Sequence, residues 1–197
     1  MTTIAILGQG NMGKGLASRL KGKVDLIIAA REPKAGEVSY AEAVAKADIV
    51  VFGLYFDVIL EAAKTLPLAG KVVVDMTNVL TPDYSALRFD SRTSAAEELQ
   101  KAIPAAKVVK GFNTIFSSLF ALPPAATANV PIFLAGNDDA AVDAVADLSR
   151  KAGFAVEKAG KLDGARYLES LGMLNIRLAF AGGRGNSIAP AFINVAG

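Results

Sequence analysis

The chain contains no cysteine and no histidine. Without cysteine there is no disulfide, no thiolate-bound zinc, no thiol redox couple and no cysteine nucleophile. Without histidine, the commonest general acid–base group and the commonest metal ligand are both missing. Aromatic residues make up only 7% of the chain against 52% hydrophobic residues, an alanine-rich composition that suits layered helices and strands. No apolar run approaches the length needed to cross a bilayer. Charge of one sign is lacking too: the net charge is +2 with both signs interspersed, which asks for neither nucleic acid nor an anionic membrane. The first strand begins just after Met1, so no leader peptide is expected and a cytoplasmic location is the default. At 197 residues the expectation is one domain, 1–197, long enough to bury a core.

What is present is concentrated first in residues 3–20. Ile4 to Leu7 reads as a buried strand, followed by a tight turn and an amphipathic helix that carries Leu16 and Leu20 inward. The turn has the spacing G-x-G-x-x-G, with Gly8, Gly10 and Gly13 separated by Gln9, Asn11 and Met12. Each glycine has its own reason: Gly8 makes the turn, Gly10 lets a pyrophosphate approach the backbone, and Gly13 lets helix and strand pack closely. Free N–H groups at the helix start would then hold the phosphates. The motif is weak alone and gains force from the strand before it and the helix after it.

Residues 23–30 form a second apolar run, expected to be a strand buried on both faces. It ends at Arg31-Glu32-Pro33-Lys34, where a dinucleotide fold reads the adenosine ribose. An acidic residue there accepts from the 2′-hydroxyl of NAD, whereas a guanidinium suits the 2′-phosphate of NADP. Arg31, with Lys34 as a second cation, favours NADP; Glu32 argues mildly against it.

Further strands are expected at 47–54, 71–75, 107–112, 130–135 and 154–157, and helices at 57–66, 95–103 and 139–152. Asp57 is expected to cap the first of these helices and Ser94 with Glu97 to form a capping box on the second. The alternation predicts an α/β fold: a doubly wound, mainly parallel Rossmann-type sheet with helices on both faces and a helical C-terminal extension from about residue 164. Ligands of such sheets lie beyond the carboxyl ends of the strands. The chain places Leu54-Tyr55-Phe56, Asn78, and Asn113-Thr114 at those ends. The apolar trio can cover a nicotinamide face, and the amides and the hydroxyl can bond its carboxamide or ribose.

The segments 5–13 (AILGQGNMG), 29–34 (AAREPK), 47–54 (ADIVVFGL), 75–80 (DMTNVL), 107–115 (KVVKGFNTI) and 167–176 (YLESLGMLNI) resemble, in order, the NADP reductases that use the deazaflavin coenzyme factor 420. The reductase domain of the STEAP-type ferric reductases is similar. The resemblance implies hydride transfer between NADP(H) and a flavin or deazaflavin acceptor, in a homodimer. It implies cofactor contacts at Gly8 to Gly13, Arg31, Leu54 and Tyr55 and around Asn78 and Asn113. Val79 stands where that family commonly has proline, and Ala30 where it commonly has a hydroxyl residue.

The absence of histidine bears on mechanism. Ketone reduction needs a proton donor poised near neutrality, whereas hydride exchange between stacked rings leaves the chemistry to the cofactors. Two other readings stand beside this one: a small imine or ketone reductase related to the β-hydroxyacid dehydrogenases, and a non-catalytic NADP(H)-binding sensor. The segment 167–181, read as a helix, carries one stripe of Leu168, Leu171, Leu174 and Leu178 and a second of Met173, Ile176 and Phe180. A helix apolar on two sides is expected to be buried on two sides, hence the homodimer.

Overall fold

Along the first strand the side chains alternate, and both sets are buried. Ile4 and Ile6 belong to one core cluster, Ala5 and Leu7 to another. A strand so apolar on both faces must lie inside a sheet covered on both sides. The computed structural model, which describes residues 2–34 and 36–195, shows that sheet. Its strands are β1 (Thr3–Leu7), β2 (Asp25–Ala30), β3 (Val38–Ser39), β4 (Ile49–Phe52), β5 (Val72–Asp75), β6 (Lys107–Lys110), β7 (Pro131–Gly136) and β8 (Ala155–Lys158). Their order is β3-β2-β1-β4-β5-β6-β7-β8. All neighbours pair in parallel except β6 with β7, so β7 and β8 run against the rest. Pro131 opens β7, the position at which a missing N–H costs least.

Helices α1 (Asn11–Leu20) and α6 (Asp139–Lys151) cover one face, burying Leu16, Leu20, Val142 and Val145 against Ile4, Ile6, Val51 and Val109. Helices α2 (Tyr40–Lys46), α3 (Phe56–Ala63) and α4 (Ala95–Ala102) cover the other, with Val44, Ile59 and Leu99 against Leu7, Phe52 and Val108. The short α5 (Pro124–Thr127) lies between β6 and β7, and α7 (Ala165–Phe180) follows β8. Among the described residues no helix is long and apolar enough to cross a membrane. The doubly wound α/β architecture expected from the alternation is thus present.

Several local expectations are corrected. β2 is not buried on both faces: Leu26, Ile27 and Ile28 are half-buried, because β2 passes to β3 without an intervening helix. Asp57 does not cap α3; the N-cap is Tyr55, without a side-chain bond, and Asp57 pairs with Arg88 at 2.9 Å instead. Ser94 caps α4 through Glu97 N, but the Glu97 carboxylate completes an ion pair with Arg166 on α7 at 2.5 Å.

Buried charge fixes the helices over the sheet. Arg19, near the end of α1, is 7% exposed, and among the described residues no carboxylate accepts from it. Its guanidinium donates to the carbonyls of Phe120, Leu119, Leu122 and Ala152 at 2.7–3.1 Å and to Thr127 Oγ1 at 3.3 Å, and it lies 5.3 Å from the Phe154 ring centre. At the other end of the sheet, Lys110 at the end of β6 is fully buried. Its Nζ lies 2.9 Å from Asp75 Oδ2 at the end of β5 and 2.8 Å from Glu169 Oε1 on α7, and it donates to Thr77 O. Burial works against the Lys110 charge, and the Asp75 and then the Glu169 carboxylates outweigh it, so its pKa is raised. Asp75 Oδ1 accepts from Thr77 N at 2.8 Å, and Glu169 Oε2 from Ala95 N at 3.2 Å.

One ammonium thus serves two buried carboxylates. Burial raises the Glu169 pKa, and the Lys110 charge opposes that rise. A carboxyl group whose pKa is raised by folding holds its proton more tightly folded than unfolded. Its contribution to stability is therefore greatest at low pH and declines as pH climbs from the ordinary glutamate value through the raised one. Glu169→Gln cannot ionise and lacks this decline. Denaturant titrations from about pH 4 upward should show wild-type stability falling relative to Glu169→Gln as pH rises. The opposite slope would mean that the cluster holds Glu169 ionised more firmly than water does.

Candidate cofactor-binding cleft

The three glycines of the turn between β1 and α1 have three different surroundings. Gly8 sits at φ +98°, and a Cβ there would lie 2.6 Å from Gly53 O. A Cβ on Gly13 would lie 2.5 Å from Gly8 O and 3.3 Å from Ile6, so only glycine lets α1 approach β1 this closely. Gly10 differs: its φ is −68°, and a Cβ would meet nothing nearer than Gly53 O at 3.6 Å. Space is therefore open above Gly10. Gly10 is also the N-cap of α1, with no side-chain cap and no acidic residue in the first turn. Among the described residues nothing accepts from the first N–H groups of α1, which begin at this space, the arrangement that binds a phosphate.

From Gly10 the space runs into a cleft of about 540 Å³ across the carboxyl ends of β1, β4, β5 and β6. Gln9 to Met12 form one side and Gly53 to Tyr55 the rim; Asn78 and Asn113 to Ser117 lie opposite, with Gly172, Asn175 and Ile176 of α7. The expected residues Gln9, Gly10, Asn11, Met12, Leu54, Tyr55, Asn78, Asn113 and Thr114 thus come together around one cavity. Phe56 does not join them; it is core, edge-on to Phe89 at 5.5 Å. Tyr55 is 85% exposed, and it is the one ionisable side chain among the described lining residues.

The asparagines are engaged with the protein more than expected. Asn78 Nδ2 donates to Asn113 O at 2.6 Å, and Asn113 Nδ2 donates to Asn78 Oδ1 at 2.9 Å and to Leu168 O at 2.8 Å. Asn175 Nδ2 donates to Thr114 O at 3.1 Å. Left without a partner among the described residues are two buried atoms of lining residues, Asn113 Oδ1 and Thr114 Oγ1. Such atoms cost stability unless a ligand or water meets them. Phe112 just before them has φ +63°, an unusual backbone conformation for a bulky residue, and it turns the chain at the end of β6 so that Asn113 and Thr114 border the cleft.

Arg31 and Lys34 do not line this cleft. They lie exposed on the loop after β2, Arg31 near enough to Tyr40 for its charge to act on the phenol. That loop is tied to the glycine turn through Gln9, whose amide donates to the Glu37 carboxylate. The sequence pattern does not mark Glu37, which stands six residues past Arg31 and beyond the strand end where a ribose reader is sought. Met76, Phe116, Ser117, Gly172, Asn175 and Ile176 were missed as well. Gly172 did leave a trace: glycine inside a helix costs about 1 kcal/mol against alanine. Its reason is that a Cβ there would lie 2.7 Å from Asn78 Oδ1 and 3.0 Å from Asn113 O. A second cavity of about 680 Å³ lies beside α1 over the uncovered flank of β2, with apolar walls from Ile6, Val24, Leu26 and Ile28.

The cleft therefore offers an anion site at a helix start and an open corridor over Gly10, and the wall at its far end holds two buried polar atoms without a partner among the described residues. This set fits a dinucleotide. Known proteins agree. Residues 3–79 match the family model described as NADP oxidoreductase, coenzyme F420-dependent. The F420-dependent NADP reductase of Methanocaldococcus jannaschii is 26% identical over 89% of this chain and 91% of its own. Metalloreductase STEAP3 of Rattus norvegicus is 30% identical over 85% of this chain, which spans only 36% of that longer relative. A candidate F420-dependent NADP reductase from Arthrobacter sp. FB24 has a solved structure with a TM-score of 0.78 and 30% identity, over 93% of this chain and 96% of that one. By likeness running through nearly the whole of two reductase chains, and by the family model matched at its N-terminal part, the protein belongs to the coenzyme F420-dependent NADP oxidoreductases.

Proposed function

We propose that this chain binds NADP(H) in the cleft and passes a hydride between it and a flavin or deazaflavin-type acceptor. The observation that carries the reading is the cleft lining: a free helix start and open Gly10 at one end, Asn113 and Thr114 in the wall at the other, each with a buried polar atom unpartnered among the described residues, and no ionisable lining side chain but the exposed Tyr55. When bound, NADP(H) supplies the hydride chemistry. The chain's part is placement. The N–H groups of α1 hold the pyrophosphate, and Leu54 and Tyr55 wall the rim. Asn113 Oδ1 and Thr114 Oγ1 accept from the carboxamide end, and Arg31 with Lys34 meets the 2′-phosphate. Hydride exchange between two stacked rings needs chiefly orientation, which a rigid cleft provides without an acid or base.

Two measurements test this. Arg31→Ala should weaken NADPH by about tenfold to a hundredfold, the worth of a charge-assisted hydrogen bond, while NADH is nearly unaffected; equal losses for both would remove the 2′-phosphate contact. Tyr55→Phe separates the acceptors. With a flavin or deazaflavin acceptor, stopped-flow oxidation of NADPH should change by no more than about threefold, far below the 10²–10⁴-fold loss of a general acid. A loss of that larger size would make Tyr55 a proton donor and favour imine or ketone reduction.

A homodimer is part of the same proposal. The face that α7 turns to the protein carries Leu168, packed with Phe133 and Ala135, and is otherwise polar or small (Ala165, Glu169, Gly172, Asn175, Ala179), while Tyr167, Leu174, Leu178 and Phe180 are exposed. The tail does not cover them: Phe192 packs edge-on to Phe133 at 5.7 Å, and Asn186 O accepts from Ser118 Oγ. Contiguous exposed apolar residues usually mark an interface. Sedimentation equilibrium should show a dimer that Leu174→Glu dissociates; a monomeric wild type would end this part of the proposal.

A further inference from the structure

A carboxylate already occupies the neighbourhood assigned above to the adenosine end of the cofactor. In the loop after β2, Glu37 N donates to Lys34 O at 2.9 Å, which closes a tight turn, and Gly36 has φ +87°. The Glu37 side chain folds back over the same turn. Its Oε2 accepts from Lys34 N at 3.0 Å, and its Oε1 accepts from the side-chain amide of Gln9 inside the glycine turn. The Lys34 N–H first, and then Gln9, hold this carboxyl below its usual range, and the charges of Lys34 and Lys14 act in the same direction. Glu37 is an internal anion, docked where donors and cations of two cofactor-binding segments converge.

Resting on the NADP(H) reading, we propose that Glu37 is a specificity-determining residue: its carboxylate competes with the 2′-phosphate for the corner between Gln9 and Lys34 and must leave it when NADP(H) binds. The turn can survive that departure, because the Glu37 N to Lys34 O bond does not use the side chain. Glu37 is also half-exposed, so the released carboxylate reaches water without crossing the core. A phosphate and a carboxylate in one corner repel each other. The 2′-hydroxyl of NADH does the reverse, since it can donate to the carboxylate where it stands. Arg31 and Glu37 therefore act in opposite senses, the first raising the preference for NADPH over NADH and the second narrowing it.

The test is Glu37→Gln, which removes the charge and keeps shape and an acceptor, with Glu37→Ala as the second variant. Dissociation constants are measured for NADPH, NADH and adenosine 2′,5′-bisphosphate. Glu37→Gln should bind NADPH and the bisphosphate about three- to tenfold more tightly and NADH no better than wild type. Glu37→Ala should show the same gain for NADPH with weaker NADH. Unchanged or weaker NADPH, or an equal gain for NADH, overturns the competition. If Arg31→Ala loses NADPH selectively while Glu37→Gln gains nothing, this inference alone fails. If neither wild type nor variant binds the bisphosphate, the 2′-phosphate reading falls with it.

Discussion

The cleft depends on a single buried cation. Lys110 closes β6 inside the protein and gathers to itself the last residue of β5 and the second turn of α7. Every segment that borders the far end of the cleft starts from one of its partners. Met76 to Asn78 follow Asp75, Phe112 to Thr114 follow Lys110, and Gly172 and Asn175 lie one and two turns beyond Glu169. Removing the Lys110 charge from this group costs about 3–5 kcal/mol, because Asp75 and Glu169 are then left buried without their cation. Position and stability are thereby tied together: the asparagine pair keeps its geometry only while α7 is held close enough for Gly172 to rest on Asn78.

The part of the fold legible in the sequence was the part ruled by local pattern. Strand runs such as Val72 to Asp75, the glycine spacing and the alternation of elements all act within a few residues, and each appears where it was expected. The path of α7 was legible in extent but not in orientation. Its leucines and isoleucine suggested two buried stripes, yet the helix buries Glu169 and Asn175, because Lys110 and the Thr114 carbonyl wait for them on the sheet. A polar residue in a helix is read as solvent-facing unless its distant partner is known. No periodicity reports that partner.

The same reasoning explains which site residues were legible. Gly8 to Gly13 and Leu54, Tyr55, Asn78, Asn113 and Thr114 stand at strand ends, and topology alone brings strand ends together. Glu37 and the α7 residues reach the site from loop and helix, by paths that only the folded chain specifies. Even among the legible residues the roles changed. The amide groups of Asn78 and Asn113 are mostly engaged within that pair, so the atoms left without a partner among the described residues are the side-chain carbonyl oxygen of Asn113 and the Thr114 hydroxyl, both buried in the wall of the cleft.

Arg19 anchors α1 without a counter-ion, and this has a consequence for the glycine turn at the other end of that helix. A guanidinium satisfied by carbonyl oxygens and one hydroxyl has no partner that can be protonated away, and its buried contacts are little screened by dissolved salt. Acidification can loosen the hydrogen bonds that the Glu37 carboxylate accepts in the loop after β2, yet the helix keeps its seat. The donors at its start therefore stay aimed at the same point in space across cellular conditions that alter the charges around them.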